Sequence, residues 1–160
     1  MDFKSLVKQI QSVQSALQAS AAHAINTALT IRNWLIGYYI VEFEQNGEDR
    51  AKYGEKLLQN LENKLKTKGM NERRFREYRR FYVVYPQISS EITNFLPIDP
   101  IRRLTAEFQI VDNKKDKWQL PANFLLSKIS YSHFDKISQI ENPIKRAFYE
   151  LGGKIKVVQN

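Results

Sequence analysis

Eight basic side chains crowd into residues 64–80: Lys64, Lys66, Lys68, Arg73, Arg74, Arg76, Arg79 and Arg80, against only Glu72 and Glu77. That stretch carries a net +6 of the chain's formal +8, while residues 1–63 sum to −1 and residues 81–160 to +3. Ammonium and guanidinium groups at this density neutralise phosphate oxygens, and guanidinium forks also match guanine edges. Arg73, Arg76, Arg79 and Arg80 are therefore the expected contacts to phosphate or guanine. Arg74 belongs to the same set, although it unrolls near the opposite edge of its helix. Asn71 and Glu72 stand at a helix start, where base contacts are usually made. Lys64, Lys66 and Lys68 would add backbone contacts from the preceding segment.

Other chemistries are poorly served. A Mg²⁺-dependent nuclease needs converging acidic ligands with a lysine nearby. The one spacing of that kind is Glu62-Asn63-Lys64, with Asp49 upstream, and it sits inside a helical pattern, where a solvated face is the better reading. There are two histidines and no cysteine, so disulfides, thiol catalysis and a His/Cys zinc site are unavailable. His23 suits a polar edge or interface, and His133, beside Ser132, suits capping or packing. No P-loop, dinucleotide fingerprint or nucleophile elbow is present. No catalytic residue, metal or cofactor is expected.

The elements that must hold the basic cluster are helical. Residues 3–45 read as one very long helix or two in line. Leu6, Ile10, Val13, Leu17, Ala21, Ala24, Ala28, Ile31, Leu35 and Tyr38 recur at gaps of three and four, interrupted by no proline. Two roles fit: a core-facing bundle helix, or a dimerising coiled coil. They are compatible if one half does each, although clean opposite charges do not flank the stripe. Asn46-Gly47 marks a turn. Residues 54–68 form a short amphipathic helix with Leu57, Leu58, Leu61 and Leu65 buried and Gly69 closing it. Asn71 caps a second helix, Glu72 to Tyr85, with Phe75, Tyr78, Phe81, Tyr82 and Tyr85 in one arc and most arginines opposite. Pro86 ends it. Two helices joined by a short Gly-containing turn make a helix-turn-helix over 54–85.

Beyond residue 86 the pattern is weaker. Pro97 and Pro100 predict a loop and a short helix near Pro100. The polar run Asp112 to Lys117 reads as a loop or a small hairpin near 108–120, a wing beside the helix-turn-helix. Helices return over 122–151: Ala122 to Lys128, a piece capped by Ser130 or Ser132 through Ile137, and one opened by Asn142-Pro143 through Leu151. Gly152-Gly153 closes the last, leaving KIKVVQN as a tail or edge strand.

With 160 residues, 42% apolar and 26% charged, the chain fits one soluble folded domain, 1–160. It carries no signal-peptide core, and its longest apolar stretch, Trp34 to Val41, is far short of the roughly 20 residues a membrane span needs. No membrane partner and a reducing, cytoplasmic setting are expected.

Certain residues carry a resemblance. Tyr53-Gly54, the leucines that follow, Gly69, Phe75, Arg79, Phe81-Tyr82 and Tyr85-Pro86 resemble the N-terminal domain of the YhcG family of bacterial proteins. Leu126-Ser127, Ser132-His133, Asn142-Pro143 and Arg146 to Glu150 resemble its second block, and Asn33-Trp34-Ile36-Gly37 its opening helix. The family's usual tryptophan in the second block is replaced by Ile129, Ser130 and Tyr131. The resemblance implies a helical, DNA-binding domain that usually precedes a PD-(D/E)xK nuclease domain. The sequence ends where that family continues toward the nuclease, so the non-catalytic half is implied.

The expectation is thus a mainly α domain: a DNA-binding helix-turn-helix without catalysis of its own, normally associated with a nuclease. Its partners would be duplex or branched DNA, a second copy through the long helix, and a nuclease or restriction-type protein. The alternative is a protein–protein interaction or dimerisation module of such a complex.

Overall fold

A computed structural model of the chain describes residues 1–48, 50–92 and 119–152. The short helix near Pro100 and the tail lie outside those residues, as does the hairpin near 108–120 except for 119 and 120. The described residues are mainly helical: α1 (Phe3–Asn46), α2 (Arg50–Tyr53), α3 (Leu57–Leu65), α4 (Glu72–Val84), α5 (Ala122–Lys128), α6 (Tyr131–Ser138) and α7 (Pro143–Glu150). Short 3-10 turns cover Gly54–Lys56 and Pro86–Glu91.

The long helix is one piece, and its two halves differ. Asp2 caps its start by accepting from the Ser5 N–H at 2.8 Å. From there through Ile25 every residue is exposed. Burial begins at Thr27 and continues through Thr30, Ile31, Asn33, Trp34, Gly37 and Ile40. The core-facing role therefore belongs to the second half, and the stripe Leu6, Ile10, Val13 and Leu17 stands uncovered.

Helix α4 is the hub of the bundle, and α1 is its main neighbour. The helices approach so closely at Gly37 that a Cβ there would lie 2.0 Å from the Tyr78 carbonyl oxygen, so no side chain fits that crossing. The predicted aromatic arc is the core: Phe75, Tyr78, Phe81 and Tyr85 are buried and Tyr82 packs at the margin. Phe134 of α6 meets both Phe81 and Tyr85 at ring-centroid distances of 5.0 Å. Phe81, Tyr85 and Phe134 share one cluster with, among others, Ile31 and Trp34 of α1, Leu125 and Leu126 of α5, and Ile88 and Ile92. A second one joins Ile40, Leu57, Leu58, Phe75 and Tyr78.

Two buried hydrogen bonds stitch the far end together. The Trp34 indole N–H donates to the Tyr85 carbonyl at 2.8 Å, and the Tyr85 hydroxyl donates to Glu150 Oε1 at 2.9 Å. A buried indole or phenol without a partner would be costly, so these bonds fix α1, the exit of α4 and α7 in one arrangement. Ile129 is buried and Tyr131 packs on Tyr78 and Phe81. Asn142 caps α7, its side chain accepting from the Ile144 and Lys145 N–H groups, whereas Ser130 stands at the N-cap position of α6 without a side-chain capping bond.

Candidate nucleic-acid interface

The basic cluster lies on α3, the turn and α4. Helix α3 ends earlier than the glycine suggested. Lys66 itself takes the left-handed conformation, φ 48°, as C-cap, and Gly69 follows within the turn at φ 83°. Leu65, expected to be buried, is the last residue of α3 and is 48% exposed. The Met70 N–H closes the turn on the Thr67 carbonyl. Asn71 then caps α4, its side chain accepting from the Arg74 N–H at 2.9 Å. Glu62 reaches across from α3, accepting the Glu72 N–H at 3.3 Å. That contact gives Glu62 a role in joining the two helices, and among the described residues no group of three or more His, Asp or Glu side chains could hold a metal ion.

The basic side chains fall into two sets. Lys64, Lys66 and Lys68 are exposed and, among the described residues, carry no ion pair. Arg73 is the most open arginine of α4, with 85% of its side chain exposed, and only 3.5 Å from Glu77 at its Nε. Arg76 is 57% exposed and pairs with Glu72 one turn back. These five groups rim the end of α3, the turn and the first half of α4.

The remaining arginines are tied inward. Arg74 holds the buried Glu77 at 3.1 Å. Its hydrogen bond to that side chain, and then the carboxylate's charge, make the guanidinium still harder to deprotonate than usual. Arg79 spans to Glu44 of α1 at 3.0 Å, and Arg80 to Asp135 of α6 at 3.1 Å. Local charge patterning does not reveal either acid, since they lie 35 and 55 residues away along the chain. They reduce the local excess: with Glu44 and Asp135 included, the +6 becomes +4. Only the packing of α1 and α6 on α4 brings them in.

Beside the basic rim runs an apolar groove of about 710 Å³ between α1 and α3. Ile36, Ile40, Phe43, Leu57, Leu61 and Leu65 contribute to its walls, with Lys64 at the edge. The exposed Leu65 is the surface sign of it. His133 contacts Ser130 Oγ through Nδ1 at 3.2 Å at the start of α6, a capping neighbourhood, and His23 is exposed on α1.

Residues 8–155 match the DUF1016 N-terminal domain, and the chain belongs to that family. It is 29% identical over 149 residues to the Escherichia coli (strain K12) protein named "Putative nuclease YhcG", a match covering 88% of this chain and 38% of that one. The chain thus spans well under half the length of that nuclease-associated relative. No solved structure matches it. No helix among the described residues is long and apolar enough to cross a membrane.

Proposed function

We propose that this domain binds DNA, duplex or branched, through the surface formed by α3, the turn and α4, and has no catalytic activity of its own. The observation that carries this reading is the exposed cationic rim of Lys64, Lys66, Lys68, Arg73 and Arg76 around the start of α4. Phosphates are the complementary ligand of such a rim. Arg79 and Arg80 contribute at the margin, since each is already held by a carboxylate. The name borne by the YhcG relative supports an association with a nuclease; the domain would deliver that nuclease, or a restriction-type complex, to DNA in the cytoplasm.

The test is fluorescence anisotropy with duplex, branched and single-stranded DNA over a salt series. Binding should weaken steeply with salt, and Lys64→Ala/Lys66→Ala/Lys68→Ala should flatten the slope by about three, one for each lysine–phosphate pairing removed. Absence of binding to every nucleic acid at low salt would overturn the reading. A second reading, a module that docks a partner protein, is favoured by the apolar groove between α1 and α3. Partner binding there would survive added salt and be abolished by Leu61→Asp.

A further inference from the structure

The first half of α1 is exposed on all its faces, yet it carries a regular apolar stripe. Phe3, Ile10 and Leu17 fall at one heptad position and Leu6, Val13 and Ser20 at the other. The five large members are 43–79% exposed. Lys4 and Lys8 lie on the outer face of the same heptads, away from this seam. The flanking positions are uncharged apart from the capping Asp2, so nothing along the seam repels a like helix. A contiguous apolar stripe of this kind is ordinarily covered.

We propose that residues 3–20 of α1 pair antiparallel with the same residues of a second copy of this chain. The stripe reads 3, 6, 10, 13, 17, 20, the same gaps in either direction, which is the self-complementarity an isologous two-fold contact requires. Pairing about the midpoint sets Ile10 against the partner's Val13 and Leu6 against its Leu17. Phe3 then rests over the small residues Ser20 and Ala21. The stripe continues beyond residue 25 into Thr27, Ile31 and Trp34, which this chain's own helices already cover. A parallel partner would be carried onto that covered side and into α4. An antiparallel partner begins where the bundle begins and runs away from it. Moving the pairing one heptad toward the bundle would set Phe3 against the buried Thr27, and moving it one heptad the other way would leave Leu17 uncovered, so the midpoint register is the longest one left open.

The chain has no cysteine, so introduced thiols report the arrangement directly. Leu6→Cys and Leu17→Cys chains, mixed and oxidised, should cross-link with each other, and neither alone should do so efficiently. Wild type should sediment as a dimer, and Ile10→Asp/Val13→Asp should halve the mass while leaving the helical bundle's far-UV spectrum and melting unchanged. A wild-type monomer at every concentration, or a dimer indifferent to Ile10→Asp/Val13→Asp, would overturn the proposal. Efficient cross-linking of Leu6→Cys with itself would overturn the antiparallel arrangement. None of these outcomes depends on DNA binding.

Discussion

The two halves of α4 carry the same kinds of residue and do different work. In the first half, Arg73 and Arg76 stand open to solvent, paired, among the described residues, only within their own helix. In the second half, Arg79 and Arg80 reach to α1 and α6, while Phe81, with Tyr85 at the C-cap, sits at the centre of the core. A guanidinium paired within its own helix can exchange that partner for a phosphate at little cost to the fold. One that ties two helices together cannot leave without loosening them. The number of arginines overstates the binding surface; what matters is what each one already holds.

The difference between the halves should be largest at the core end. Phe81→Ala removes a fully buried ring and should destabilise the domain by about 3–5 kcal/mol in chemical denaturation. A cost below that range would mean the second half of α4 is less central than its burial indicates. Gly37→Ala drives a methyl into the Tyr78 carbonyl and should cost about 1–3 kcal/mol despite alanine's better helix propensity. The arginines separate the halves more finely. Arg79→Ala and Arg80→Ala should each cost up to about 1 kcal/mol of stability. Arg73→Ala and Arg76→Ala should stay within about 0.5 kcal/mol of wild type and instead each lower the salt slope of DNA binding by about one. Equal stability effects for the two pairs would erase the distinction.

The smallest expected effect is a pH dependence at the core end. Burial raises the Glu150 carboxyl above its ordinary 4.5, against the opposing pull of the Tyr85 hydrogen bond and the Arg146 charge. Above that ordinary value the folded chain holds a proton at Glu150 that the unfolded chain has released, so stability falls as pH rises through the window. Glu150→Gln keeps an acceptor for the Tyr85 hydroxyl and should flatten that fall, read as melting temperature against pH.

Much of this arrangement was legible in the residues. Asn71 and Asn142-Pro143 announce their helices because capping is a local matter of one side chain and the next few N–H groups. The aromatic arc of α4 was readable for the same reason: a helix fixes which residues share a face. The ends were less so. Lys66 stops α3 ahead of Gly69, since a lysine can adopt the left-handed conformation when the following turn requires it. The ties of Arg79 and Arg80 were invisible, because a contact across 35 or 55 residues depends on how α1 and α6 settle on α4. For α1, periodicity gave the stripe but not which half the bundle would cover.

An unbroken α1 also sets a phase. Whatever is seated on residues 3–17 is joined to the bundle by continuous helix, so its azimuth about that axis is fixed by the number of intervening residues. Each residue added near 21–24 would turn the outer segment by about 100° and move it about 1.5 Å outward. Two added residues would turn the stripe to nearly the opposite side, and four would bring it back to within about 40°. The relation between the two ends of this helix is thus carried by residue count as much as by residue type.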